Sequence, residues 1–295
     1  LYFSIKEIKD PSFAIGEIKK LLEKPKSSTA SPAVPPSGVS GENRDSTQLF
    51  RSEGEADKPL MENASSCVFL MAKDYEGHVY FSDSQESVTL FDQTYKALEL
   101  AGVKVHAWFP VLLDPKTAQL NPEWAMVGDD GRASPSWLSP SNPEVRSFIQ
   151  NTIDTLLDHY DVDGIHLDYI RYPSLGYDCT EKNISLFIEN SGKETVKKEE
   201  LISKNGVEWT DWQTDQITRF VKNIYNSLNE RDYNDIELSA ALIADASISY
   251  RTQEKFGQDY RYLANYLDLV IPMAYMKGER KPVAWISDVI ASSRY

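Results

Sequence analysis

The sequence predicts an α/β fold, specifically a TIM-type barrel of parallel strands covered by helices. After about residue 61, short apolar segments of strand length alternate with segments of helical periodicity, which is typical of βα units. Several strand segments alternate polar and apolar residues, as expected when one face of each strand lines a barrel. With 295 residues, the chain is long enough for one such barrel, which takes about 250 residues.

The first 60 residues are predicted to form a poorly defined N-terminal segment with a linker rich in proline and serine. Five of the 15 prolines fall between residues 25 and 59, among few large apolar residues, so this stretch cannot bury enough surface to order itself. Before the linker, Leu1 to Ile5 has the composition of a strand and Ile15 to Leu22 that of a short helix. We therefore expect two regions, residues 1–60 and a barrel domain over residues 61–295.

The barrel region is predicted to begin with a strand from Cys67 to Ala72. A helix follows, with an apolar face that ends before Gly102, a residue suited to the position after a helix. The residues of this face are Val88, Phe91, Tyr95 and Leu98. The next strand covers Val103 to Phe109.

Residues 110–141 are rich in Pro, Asp, Gly and Trp and predict a long loop. The helix after this loop should begin at Asn142, because Asn is a favourable N-cap and Pro143 suits the first turn. Its buried stripe runs from Val145 to Leu157.

Three more strands are predicted at Gly164 to Asp168, Ile236 to Ile243 and Leu267 to Met273, with an amphipathic helix from Ile217 to Leu228 before the second of them. These make five strands, or six with the segment from Leu1 to Ile5. A complete barrel of this type has eight strands, so we expect a barrel that is incomplete at its C-terminus.

Composition excludes several classes of partner. The formal net charge of −14 provides no electrostatic attraction for nucleic acid or for an anionic membrane surface. No segment reaches the roughly 18 apolar residues needed to span a membrane, and no signal peptide is visible. The two cysteines, Cys67 and Cys179, are too few for a disulfide scaffold or a cysteine-rich zinc site, and we expect two ordinary thiols.

The stretch from Tyr160 to Pro173 contains the strongest candidates for catalytic residues. In the strand within it, Ile165 and Leu167 share one face, whereas His166 and Asp168 share the other, which would point into the barrel. Asp168 stands at the C-terminal end of its strand, where barrel enzymes place catalytic residues. Arg171 follows closely enough to hold Asp168 ionised, as a nucleophile or a transition-state stabiliser requires. The alternative is that Asp168 caps the next loop or pairs with Arg171 structurally.

One βα unit earlier, the strand from Val103 to Phe109 repeats this pattern. His106 and Trp108 are expected on the barrel side, so that two histidines and Asp168 would converge on one rim. Trp108 could stack on the apolar face of a sugar ring and donate its indole N–H to a hydroxyl group. The alternatives are structural: the histidines as satisfied core groups and Trp108 as core filler.

Four segments resemble the glycosyl-hydrolase-like family ten, a group of TIM-barrel proteins, over roughly residues 65–290. They are Val105-His-Ala-Trp-Phe109, Trp137-Leu-Ser-Pro-Ser-Asn-Pro-Glu-Val-Arg146, Tyr160-Asp-Val-Asp-Gly-Ile-His-Leu-Asp-Tyr-Ile-Arg-Tyr-Pro173 and Asp268-Leu-Val-Ile-Pro-Met-Ala-Tyr275. The resemblance implies a barrel acting on a polysaccharide, with cell-wall glycans as the suggested substrate, and this favours an extracellular or cell-envelope location. It also matches Asp168 to the family's acid on strand four.

The chain departs from the family pattern at three positions. Tyr169 stands where many relatives have a second acid, Gln213 where an Arg is common, and Pro110 where an Asn often follows the Trp-Phe pair.

Glycoside cleavage requires a second carboxyl group beside Asp168. Asp245, just beyond the strand that ends at Ile243, is the first candidate, and Glu208 and Asp74 are the others. Tyr275 is expected to bond a sugar hydroxyl or the nucleophile. With His106, Trp108, His166 and Arg171, it completes the predicted substrate-binding set.

We expect a glycoside hydrolase without cofactor or metal. One alternative is a metal-dependent hydrolase, for example a deacetylase, that uses His106, His166 and Asp168 as ligands. The other is a barrel that binds glycan without catalysis. The residues indicate no oligomeric state.

Overall fold

The computed structural model describes residues 2–3, 67–81, 88–192, 206–231, 233, 235–275, 278 and 280–293. Its centre is a curled sheet of six parallel strands, which confirms the predicted α/β barrel-type fold. In spatial order the strands are β1 (Tyr2–Phe3), β2 (Cys67–Met71), β3 (Lys104–Pro110), β6 (Gly164–Asp168), β7 (Glu237–Ile243) and β8 (Leu269–Met273). All five strands predicted after residue 61 are present, and β1 lies within the predicted segment from Leu1 to Ile5.

Helices follow the strands along the chain. They are α1 (Leu90–Leu100), α2 (Pro115–Leu120), α3 (Pro143–Leu157), α4 (Glu181–Ser191), α5 (Val207–Glu230), α6 (Tyr250–Phe256), α7 (Tyr260–Leu263) and α8 (Val283–Ser292). Short 3-10 turns cover Pro122–Trp124 and Ala244–Ser247. In the described ranges, no helix combines the length and the apolar character that crossing a bilayer requires.

The main core lies between the sheet and these helices. Ile165 and Leu167 of β6 are fully buried there, as their alternation with His166 and Asp168 predicts. Ile153 of α3 and Val221 of α5 pack into the same cluster. Because each such side chain contributes about 1.5–3 kcal/mol when it leaves water, this layer holds the strand ends in place.

The start of α3 follows the predicted capping chemistry, and the start of α1 requires one correction. Asn142 accepts the backbone N–H of Glu144 at 2.9 Å, and Pro143 is the first residue of α3. Helix α1 is capped by Thr89 and Asp92, which form a capping box. Val88 was predicted on the buried face of α1, but it precedes the cap and is exposed, because the chain is not yet helical there.

The prediction of a long loop over residues 110–141 is wrong. This stretch contains α2 and an antiparallel hairpin of β4 (Ala125–Val127) and β5 (Ala133–Leu138). Both strands are too short to show a clear periodicity, and Pro135 within β5 argued against a strand. The signal that was missed is Asp130-Gly131, where Gly131 takes a left-handed φ of 78° in the turn.

Several predictions lie outside the described residues. The helix from Ile15 to Leu22 and the linker are among them, so the division at residue 60 stays a prediction. Cys67 and Cys179 are both thiols that form no disulfide, in agreement with the expectation from the sequence.

Candidate active site

The carboxyl ends of β3 and β6 bring Trp108 and Asp168 together. The indole N–H of Trp108 donates to Oδ2 of Asp168 at 3.2 Å. The backbone N–H of Tyr169 donates to the other carboxyl oxygen, Oδ1, at 2.7 Å. Both oxygens of Asp168 are therefore held by N–H donors, so the carboxyl group has one defined orientation at the end of its strand.

Asp168 is a buried acid with opposing influences on its protonation. Burial raises the pKa of Asp168, because a buried carboxylate loses its hydration. The N–H donors from Tyr169 and Trp108 and the positive charge of Arg171 act in the opposite direction. The result is a carboxyl group that is harder to ionise than an exposed Asp and is positioned for chemistry.

Tyr169, directly after Asp168, has an unusual backbone. Its φ of 54° lies in the left-handed region, which costs a residue other than glycine about 1–3 kcal/mol. This conformation accompanies the bond from its N–H back to the Asp168 carboxyl. In the sequence, Tyr169 stands out only as a departure from the family pattern, because no periodicity reports a left-handed φ.

Arg171 lies in a cage of aromatic rings beside Asp168. Its guanidinium carbon is 5.0 Å from the ring centre of Trp137, 5.5 Å from that of Tyr169 and 5.3 Å from that of Phe256. Nη1 donates to the backbone carbonyl of Tyr172 at 3.2 Å, and Nε is buried without a hydrogen-bond partner in the described part of the chain. The positive charge of Arg171 opposes the rise in the pKa of Asp168, but burial is the larger effect and the pKa is raised.

His106 and His166 lie deeper in the barrel than Asp168. His166 Nδ1 is 2.9 Å from Ser239 Oγ, and His106 Nδ1 is 3.3 Å from the same oxygen. Burial lowers the pKa of both histidines, to about 3 for His166, where the neighbouring His106 adds to the effect. Both imidazoles are therefore neutral near pH 7 and bonded within the core.

The predicted convergence of both histidines on one rim is wrong. His106 pairs with Gly164 at the start of β6, four residues before Asp168, which corresponds to about 13 Å along the strand. The four polar-side residues do share one face of the sheet, but they occupy successive layers of it. Alternation decides the face of a residue and leaves its depth undetermined. A direct substrate contact from His106 or His166 stays a prediction.

The metal site considered from the sequence is not assembled. Among the described residues, His106, His166 and Asp168 do not bring their ligand atoms within coordinating reach of one another. Asp74, Glu76 and His78 form a group whose ligand atoms do lie within reach of one another. Its buried member Asp74 already accepts the backbone N–H groups of the other two, at 2.8 and 2.9 Å, and the hydroxyl of Tyr80 at 2.9 Å. We interpret Asp74 as a residue that stabilises this turn.

Asp245, the first candidate for the second carboxyl, is engaged by α8. Trp285 donates its indole N–H to Oδ1 at 2.7 Å, and Lys281 Nζ lies 2.8 Å from Oδ2. These contacts tie α8 to the end of β7. Glu208, another candidate, lies in the first turn of α5 instead of the predicted loop. A catalytic role for Asp245 stays a prediction.

Aromatic side chains surround Asp168 at the rim. Tyr275 lies just beyond β8 and is 67% exposed. Burial is the main reason that the pKa of Tyr169 is raised, and the nearby Tyr275 and Tyr75 add to this effect. The ring of Trp137 is tilted against that of Tyr169, with the ring centres 5.9 Å apart. With Trp108, these four residues form what we call the aromatic rim: Tyr75, Trp108, Trp137, Tyr169 and Tyr275. Sugar rings stack well on such surfaces.

Comparisons with known proteins identify the family of the chain. A family model described as glycosyl hydrolase-like 10 matches residues 89–277, well over half of the chain. A relative named glycosyl hydrolase YngK, from Bacillus subtilis, is 25% identical over 151 residues, which are 47% of this chain and 26% of the relative. An S-layer-related protein from Niallia circulans is 31% identical over 83 residues, 28% of this chain and 4% of that protein. The chain thus spans about a quarter or less of the length of these relatives.

Solved structures share the fold. The glycoside hydrolase domain of PgaB (BpsB) from Bordetella bronchiseptica matches with a TM-score of 0.62 and 21% identity, over 77% of this chain and 70% of that one. The catalytic domain of β-amylase from Paenibacillus polymyxa matches with a TM-score of 0.51 and 11% identity, over 69% and 68% of the two chains. At these identities the similarity establishes the barrel-type architecture.

Proposed function

The chain belongs to the glycosyl hydrolase-like 10 family, and we propose that it is a glycoside hydrolase that cleaves a polysaccharide with Asp168 as its catalytic carboxyl group. The observation that carries this proposal is the buried Asp168 carboxyl, held by N–H donors on both oxygens at the end of a barrel strand. The mechanism and the substrate are part of the proposal.

Asp168 acts as nucleophile or as transition-state stabiliser. Glycosidic bond cleavage passes through a transition state like an oxocarbenium ion, whose positive charge a fixed carboxylate stabilises more strongly than it stabilises the neutral substrate. The bonds from Trp108 and Tyr169 orient the carboxylate before the substrate arrives, so no reorganisation is needed during the reaction. Arg171 keeps positive charge nearby, which favours the ionised form.

The second carboxyl group donates a proton to the leaving oxygen, and in a retaining mechanism it then removes a proton from the attacking water. We assign Asp245 to this role, since it follows the end of the adjacent strand β7. A separation of about 5–5.5 Å between the two carboxyl groups would give retention of configuration, and about 6.5–9.5 Å would give inversion.

The substrate is a polysaccharide, and we propose a cell-wall glycan. The support is the aromatic rim, because flat rings bind the apolar faces of sugar rings. The net charge of −14 disfavours strongly acidic glycans. Tyr275 at the end of β8 and Arg171 beside Asp168 supply polar groups for sugar hydroxyls.

The test is hydrolysis of purified glycans. The protein and its Asp168→Asn variant are incubated with peptidoglycan, chitin, cellulose and a glucosamine polymer, and the products are identified by mass spectrometry. We expect one glycan to be cleaved by the parent, and turnover to fall about 10³-fold or more in Asp168→Asn with binding retained. Asp161→Asn, at an exposed position shortly before the same strand, is the matched control and should keep full activity.

A glycan-binding barrel without catalysis is the second candidate. The observation that favours it is the engagement of Asp245 by Lys281 and Trp285, which occupies both oxygens of this carboxyl group. Binding to a glycan with no release of products by the parent would support this candidate and contradict the hydrolase. Cleavage at the parent rate by folded Asp168→Asn would remove Asp168 from the mechanism.

A further inference from the structure

A second concave surface lies on the helical layer, between α5, α6 and α7. It is a groove with a volume of about 560 Å³, and three of the side chains that line it are tyrosines, namely Tyr250, Tyr262 and Tyr266. Tyr250 and Tyr262 are 52% and 58% exposed. We call it the tyrosine groove. Exposed tyrosines that line one concavity offer the flat apolar surface and the polar edge that sugar rings bind.

Apart from the tyrosines, half of the side chains that line the tyrosine groove are acidic. The acids are Asp211, Asp215, Glu254 and Asp259. Asp259 pairs with Arg261 at 2.6 Å and Asp215 with Arg219 at 2.5 Å, so Asp211 and Glu254 are the acids without an arginine partner among the described residues. Carboxylates are hydrogen-bond acceptors only, so they suit ligands rich in hydroxyl or ammonium donors. The same charges repel an acidic ligand.

Helix α6 connects the tyrosine groove to the candidate active site. Tyr250 and Glu254 of α6 line the groove, whereas Phe256 at its end lies under the guanidinium of Arg171. The backbone N–H of Tyr172 donates to the carbonyl of Phe256 at 3.0 Å, which fixes this end of α6 against the loop after β6. At 1.5 Å per residue, Tyr250 and Phe256 are about 9 Å apart along the helix.

We propose that the tyrosine groove is a second glycan-binding site, which holds a non-acidic part of the polysaccharide chain outside the catalytic centre. This inference rests on the proposed function for the identity of the ligand. A long chain can occupy the aromatic rim and the groove together, because α6 borders both. A short oligosaccharide reaches only one of them, so the groove raises the affinity for polymer and leaves the hydrolysis of short substrates unchanged.

The test compares polymer with short substrate in variants of the full chain. Tyr250→Ala combined with Tyr262→Ala removes both exposed rings, while Tyr250→Phe combined with Tyr262→Phe keeps them. Binding is measured by sedimentation with insoluble peptidoglycan and chitin, and turnover is measured on soluble oligosaccharides cut from the glycan that the parent cleaves. We expect the alanine variant to bind polymer about tenfold more weakly, the phenylalanine variant to bind within about twofold of the parent, and both to keep parent turnover on oligosaccharides.

The outcomes separate this inference from the proposed function. If the parent cleaves a glycan and the folded alanine variant binds polymer as the parent does, the groove is only a crevice between helices and the inference is overturned. If the parent binds polymer without cleavage and the alanine variant loses affinity, the groove stands and the hydrolase assignment fails. A parent that binds none of the glycans overturns both.

Discussion

In the proposed hydrolase, the hydrogen bond from Trp108 to Asp168 should set the pH at which activity appears. Trp108→Phe keeps an aromatic ring but removes the indole N–H, which lies 3.2 Å from Oδ2 and lowers the pKa of Asp168. A hydrogen bond to a charged group is worth about 1.5–3 kcal/mol, and the length of this bond favours the lower value. About 1.4 kcal/mol corresponds to a tenfold change between carboxylate and carboxylic acid.

We therefore expect the acid limb of the pH profile of kcat/KM to move up by about one pH unit in Trp108→Phe. The sign follows from the role of the bond: the N–H stabilises the carboxylate, so its loss favours the protonated and inactive form. The assay is hydrolysis of the glycan that the parent cleaves, followed between pH 3 and 9. If Asp168 instead donates the proton, the alkaline limb should move in the same direction.

Trp124→Phe is the matched control, since Trp124 packs on Phe148 away from Asp168 and should leave both limbs unchanged. A Trp108→Phe variant that is folded and active but has the parent pH profile would refute the reasoning, because the bond would then have no influence on the ionisation of Asp168.

Three further predictions concern stability. Burial raises the pKa of Asp178 to about 6, above the unfolded value of about 3.9. The contribution of Asp178 to stability is therefore present below pH 4 and is lost as the pH rises through 6. Relative to the parent, Asp178→Asn should gain up to about 3 kcal/mol in unfolding free energy between pH 4 and 7, as urea titrations at both pH values would show. Gly164→Ala places a Cβ 2.6 Å from the His106 ring and 2.7 Å from the Glu237 carbonyl oxygen, so we expect a loss of about 1–3 kcal/mol by the same titration; an unchanged midpoint would contradict the tight packing at this layer. Deletion of residues 27–58, which are poor in large apolar side chains, should shift the melting temperature by less than about 2 °C, and a chain that no longer folds would show that this segment is integral to the fold.

Strand positions and helix starts were predictable because they depend on neighbours in sequence. Alternation identified Ile165 and Leu167 as the buried face of β6, and the Asn142-Pro143 pair identified the start of α3. The hairpin of β4 and β5 was not predicted, because its strands depend on pairing with each other more than on their own composition.

The candidate site was predicted in part. Asp168 and Trp108 were both expected on the barrel side, and they meet at the rim through a hydrogen bond. The depth of His106 depends on how β3 is staggered against β6, which no local pattern encodes. The left-handed backbone of Tyr169 and the bond from its N–H to Asp168 were equally invisible.

By itself, the sequence determined the α/β class, the parallel strands after residue 61, the start of α3 and the buried face of β6, because periodicity and capping are local properties of a chain. Only the tertiary structure decided which polar groups share a layer, that Arg171 stacks on Trp137, Tyr169 and Phe256, and that Asp245 bonds to α8. These contacts join residues far apart in the chain, so strand stagger and helix packing set them, and the electrostatic environment of Asp168 follows from both.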